Sequence, residues 1–247
     1  MDLVRFAELV AIGLAAGVVS SVVSLASVVS YPALLALGFP PVVANVTNTV
    51  SLCFSSLGSL IGCRKDLRGQ YRRAAALCGL TVAGGVAGAT LLLSTPASAF
   101  ESAVPWLIGF GAVAIMAQPY ARDLSASSSR LVRYLLVAAA FAVAVYVGYF
   151  GAAGGVLMVA VLGVMFSDSL QRINALKNVA AGVANTVAAM TFAVFGPVDW
   201  SAVPPQALGF FVGGWGGAAL ARRIPAAVLR PLIAACGSGV AVWLAVR

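Results

Sequence analysis

Charged residues cut this chain into long uncharged stretches. None occurs from Leu9 to Cys63, Ala74 to Phe100, Ser102 to Ala121, Tyr134 to Ser167, Asn178 to Val198, Trp200 to Ala221 or Pro231 to Val246. A helix crossing a bilayer needs about 20 mostly apolar residues at about 1.5 Å each. Two of the stretches are long enough for more than one crossing, and together they use up the chain, leaving no soluble domain. The pattern predicts an all-α polytopic membrane protein.

Composition narrows the picture further. Apolar residues make up 62 % of the 247 positions and charged ones 9 %, whereas soluble domains carry about 25 % charge. A water-soluble globule and a disordered chain are both excluded. Histidine is absent, which removes the commonest proton shuttle and metal ligand. Cys53, Cys63, Cys78 and Cys236 are isolated and read as small hydrophobes, so no metal, disulfide or cofactor is expected. The net charge of +8 sits in short loops; bases beside spans mark a cytoplasmic face and do not imply nucleic-acid binding. The first apolar run far exceeds the about 7–15 residues of a signal-peptide core, so it is expected to be retained.

The chain also repeats weakly at a shift of about 130 residues. Asn45-Val46-Thr47-Asn48-Thr49-Val50 with Ser55-Ser56 finds a counterpart in Ala175-Leu176-Lys177-Asn178-Val179-Ala180 with Asn185-Thr186. Charge swaps sides between the copies. Loop 64–73 holds five bases, while its counterpart has Asp199 and none. The 38–45 loop is uncharged, while its counterpart region holds Arg172 and, just beyond, Lys177; the Glu101 loop lacks bases, while its counterpart holds Arg222, Arg223 and Arg230. Such a swap is what an inverted-topology repeat shows under the positive-inside rule.

Inversion requires an odd number of segments per half. Eight single spans would strand Arg172, Lys177, Arg222, Arg223 and Arg230 outside. Splitting the first apolar run of each half, near Ser20–Ser24 and within Gly148–Gly155, places every base except the terminal Arg5 and Arg247 inside. Each repeat then has one broken or re-entrant segment, made of two short pieces, plus three spanning helices. The expected units are 1–121, a cytoplasmic connection 122–133, and 134–247. Gly148-Tyr149-Phe150-Gly151-Ala152-Ala153-Gly154-Gly155 suits a break, since Gly costs about 1 kcal/mol relative to Ala inside a helix; close helix packing by small residues is the other use of such a cluster.

A broken helix at the midplane offers unpaired N–H groups and about half a positive charge, a natural seat for an oxyanion. The candidate binding residues are Asn45, Thr47, Asn48 and Ser55 (with Ser56) in the first half. In the second they are Gly154, Gly155, Asn174, Lys177, Asn178 and Asn185 (with Thr186). Lys177 is the one cation placed to reach into the membrane; snorkelling to the headgroups is its alternative. The asparagines have interhelical hydrogen bonds as theirs, but all five in the chain fall in these two clusters. The acids Asp2, Glu8, Asp66, Glu101, Asp123, Asp168 and Asp199 all lie at expected edges or loops. No acid cluster and no histidine means no catalytic constellation, so an enzyme is not expected.

Several segments are similar to the TauE/SafE sulfite exporter family of bacterial membrane proteins. The second half carries the resemblance in Gly148 to Val159, in Asn174-Ala175-Leu176-Lys177-Asn178, and in Phe195-Gly196-Pro197-Val198-Asp199-Trp200. Gly213-Gly214-Trp215-Gly216-Gly217-Ala218 and Ala221-Arg222-Arg223-Ile224-Pro225 resemble its closing helices. The first half matches in Tyr31-Pro32-Ala33-Leu34, Leu37-Gly38-Phe39-Pro40-Pro41 and Val46-Thr47-Asn48, and departs where Ser21-Val22-Val23-Ser24 replaces a glycine motif. The resemblance implies export of a small sulfur-containing anion, such as sulfite or an organosulfonate, across the bacterial inner membrane. Small anion and lipid bilayer are then the partners, with no nucleic acid. A passive anion channel and a non-transporting scaffold subunit are the competing readings.

Overall fold

In a computed structural model, residues 2–23, 25–62, 66–117, 130–151, 154–166 and 168–220 are described. Most of the expected connection 122–133, and the expected bases Arg222, Arg223 and Arg230, lie outside them. The described residues form helices and short connections, without strands. The first five helices are α1 (Leu3–Val23), α2 (Ala26–Ala36), α3 (Pro41–Gly62), α4 (Tyr71–Ser94) and α5 (Ala97–Ala117). Four more follow: α6 (Arg130–Tyr149), α7 (Gly154–Met165), α8 (Leu170–Phe195) and α9 (Val203–Leu220). Leu3–Ser20, Tyr71–Ser94, Arg130–Tyr149 and Gln171–Phe195 are each long and apolar enough to cross a membrane. The chain is a multi-pass α-helical membrane protein.

Both long apolar runs are interrupted. α1 ends at Val23 and α2 begins at Ala26; α6 ends at Tyr149 and α7 begins at Gly154. The expectation of two short pieces needs one correction. α1 and α6 have 21 and 20 residues, full spanning lengths, and only α2 and α7, with 11 and 12, are short.

Local chemistry accounts for the ends. α2 closes in a Schellman arrangement: the Gly38 and Phe39 amides donate to Leu35 O and Leu34 O, with Gly38 at φ +84°. Pro41 then opens α3, where a missing N–H costs nothing. α6 ends where Gly151 takes φ +74° and donates to Tyr146 O, a conformation open to glycine and strained for other residues. Beside it Phe150 is buried, its ring edge-on to Tyr31 of α2 at 5.1 Å and to Phe100 of α5 at 6.0 Å.

Close approaches set the relative directions of the helices. Gly13 faces Gln206, and Gly17 faces Phe210 and Gly214, so α1 and α9 run the same way. α3 runs with α9, since Asn48 meets Gln206 and Ser55 meets Gly214. α4 runs with α6, where Gly84 abuts Ala144 and Gly88 abuts Gly148. α8 runs with α4, because Arg73 pairs with Asp168 at one level and Gly85 packs on Ala184 further along. α3 opposes α8: Thr47 accepts the Asp199 amide beyond the α8 terminus, while Cys53 lies against Asn185. Glycines occupy the tightest crossings because lipid offers no hydrophobic drive for helix association, and close backbone packing takes its place.

Candidate functional site

The two interruptions meet around a cavity of about 60 Å³. Ala26 and Ser27, the first residues of α2, line it from one side and Gly155, the second residue of α7, from the other. Two half-helix N-termini therefore contribute to the same wall. α1 adds Ser20, α3 adds Ser55 and Ser56, and α8 adds Lys177, Asn178, Gly182 and Asn185. Gly151 sits at the junction, where a side chain would approach both Asn185 Oδ1 and Ser27 Oγ.

Among the described residues, Lys177 is the charged side chain lining the cavity, and no carboxylate does. Lys177 is buried, 8 % exposed. Its side chain contributes to the cavity wall. The polar lining is otherwise serine hydroxyls and asparagine amides, all able to donate. Together with the helix N-termini, the electrostatics of this space favour an anion.

The ten expected site residues divide. Ser55, Gly155, Lys177, Asn178 and Asn185 line the cavity. Asn45, Thr47, Asn48, Gly154 and Asn174 do not appear in its wall. Asn45 donates to Tyr149 O at 2.9 Å and so ties α3 to the end of α6. Thr47 accepts the Asp199 amide at 3.0 Å. Asn48 stands directly behind the wall: its Nδ2 donates to Ser27 Oγ at 3.3 Å, and its Oδ1 accepts from Gln206 Nε2 at 3.1 Å. Gly154 is buried against Val147, and Asn174 is half-buried on α8 a turn nearer that helix's start.

Sequence reasoning missed Gln206. It is wholly buried and completes the chain Gln206–Asn48–Ser27 that leads to the cavity wall. A signal was present, since Gln206 is a lone amide in the uncharged run from Trp200 to Ala221, and polar residues inside spans carry function or structure.

A family model described as Sulfite exporter TauE/SafE matches residues 9–244. The chain belongs to the TauE/SafE sulfite exporter family. That membership makes it a membrane transporter by family, and the match covers both interruptions and every residue of the cavity wall described above. Neither the curated proteins nor the solved structures contain a match.

Proposed function

We propose that this TauE/SafE member is a secondary transporter, and not an enzyme, exporting a small sulfur-containing anion, sulfite or a related sulfonate, across the bacterial inner membrane by alternating access. The observation that carries the reading is the cavity itself: buried Lys177 and two helix N-termini converge on one space with no carboxylate among the described lining residues. Its volume of about 60 Å³ suits a few water molecules at about 10–15 Å³ each by the same measure, and hence a compact oxyanion. Substrate contact falls to Ser55, Gly155, Lys177, Asn178 and Asn185. Asn45, Thr47 and Asn48 act one step behind, and Gly154 packs α7 against Val147 of α6.

The inverted repeat, with halves 1–121 and 134–247, is part of the proposal. Its support is the order and direction of the helices. α1, α2, α3 and α4 correspond in turn to α6, α7, α8 and α9, with a short helix second in each half. α1, α3 and α9 run one way while α4, α6 and α8 run the other, so three corresponding pairs, α1/α6, α3/α8 and α4/α9, are opposed. The pairing of α1 with α9 is the exchange image of α6 with α4. Charge agrees: Arg68, Arg72, Arg73, Arg130, Arg133 and Arg172 gather at one end, taken as cytoplasmic. Rocking of one half against the other would expose the cavity alternately.

The test is a thermal-unfolding screen of the purified chain with sulfite, thiosulfate, short sulfonates and carboxylates, because a ligand that selects the folded state raises the midpoint. A saturable rise with a sulfur oxyanion, lost in Lys177→Ala, is expected. No rise with any anion, or a rise unchanged in Lys177→Ala, refutes the site.

A further inference from the structure

We propose that a second site, on the lipid-facing side of α4, α6 and α7 at the arginine-rich end, binds one anionic phospholipid. A groove of about 330 Å³ opens there. Its walls are apolar, with Ala76 and Leu80 from α4, Val137 from α6 and Phe166 just beyond α7, and its mouth carries Arg72 and Arg73. The two arginines do different things. Arg73 pairs with Asp168 and stacks its guanidinium 4.6 Å over the Phe166 ring, so it builds the wall. Arg72 is exposed, and Arg133, also exposed, stands one helical turn from Val137 on α6. The Asp168 carboxylate at this junction is engaged by Arg73 and by Arg172 at 3.3 Å, and neither Arg72 nor Arg133 is in either ion pair. Positive charge is left over at the mouth.

The depth of the site fits a lipid. Tyr71 and Tyr134, 68 % and 72 % exposed, are the sequence neighbours of Arg72 and Arg133 near the starts of α4 and α6, as interfacial aromatics at headgroup level would be. Below them Leu135, Val137 and Phe141 are exposed along α6, so the groove faces hydrocarbon. An occupant with a negative head and a hydrocarbon tail meets both halves of this surface: phosphate on Arg72 and Arg133, one acyl chain along Leu80 and Val137. A free phosphate would leave the groove unused, and a zwitterionic lipid would gain nothing from the surplus charge. Phe166 follows the last turn of α7, whose second residue, Gly155, lines the cavity described above, so the lipid would brace the far end of that half-helix. Binding itself does not depend on the transport reading.

The full chain in neutral detergent is titrated with dioleoylphosphatidylglycerol, dioleoylphosphatidylcholine and inorganic phosphate, following the unfolding midpoint. Phosphatidylglycerol alone should raise it saturably. Basic residues at anionic lipid surfaces contribute roughly five-fold each, so Arg72→Gln with Arg133→Gln should weaken the apparent affinity by roughly twenty-five-fold. Ala76→Trp, an exposed position, should block the groove with the lipid-free midpoint unchanged. Three results overturn the proposal: an equal rise with phosphatidylcholine, a rise with phosphate alone, or undiminished phosphatidylglycerol binding in either variant. No rise with phosphatidylglycerol overturns it as well.

Discussion

At the scale of single residues, the cavity wall and the layer behind it ask for different tests. Lys177 and Asn178 line the space directly. A charge-assisted hydrogen bond is worth about 1.5–3 kcal/mol, so Lys177→Ala or Asn178→Ala should lower flux by about tenfold or more without loss of fold, read as uptake into proteoliposomes beside a circular-dichroism melt. Gln206→Ala should behave otherwise. It removes the donor to buried Asn48 Oδ1 and should destabilise the protein by about 1 kcal/mol, measured by unfolding in mixed micelles. Much of this layer was readable beforehand, because five asparagines fell in two matched clusters of an otherwise apolar chain. What could not be read is which face each one takes. Asn45 and Asn48 are three residues apart on α3, yet one caps a carbonyl of α6 and the other bridges Ser27 and Gln206. Letter spacing gives the neighbourhood, and only packing decides between cavity and backing.

At the scale of elements, the breaks and the glycine crossings share one logic. Gly151 ends α6 with φ +74°; Gly151→Ala should cost about 1–2 kcal/mol through the left-handed backbone and impair transport, since the residue adjoins Ser27 and Asn185. Gly88 sits at a close helix crossing. A side chain there would run into Val145 O and the Tyr149 amide of α6, so Gly88→Val should destabilise by about 1–3 kcal/mol, seen as a lower unfolding midpoint. The second interruption was legible from its glycines. The first was legible only by analogy with it, through serines near position 20, because Ser21-Val22-Val23-Ser24 offers no backbone signal of its own. The full length of α1 and α6 escaped the pattern, since an uncharged run says nothing about where inside it a helix stops.

At the scale of the whole molecule, the proposed inverted repeat makes a topological prediction. Arg68 follows α3, while Ser201 lies beside Asp199, whose amide is held by Thr47 near the start of α3. Single cysteines at 68 and 201, in a background without the native thiols, should label from opposite sides of the membrane; same-side labelling contradicts the inverted arrangement. The alternation of basic and acidic loops is the sequence signal on which this proposal rests, because the cost of translocating arginine and lysine is written into loop composition. Substrate chemistry is what remains to be measured, and it concentrates on one space. The most direct measurement is sulfite counterflow in proteoliposomes containing the wild-type chain or Lys177→Ala. The account predicts saturable exchange by the wild type, collapsing in the folded variant. Equal exchange by both proteins, or none by the wild type, would contradict an anion held between the two broken helices.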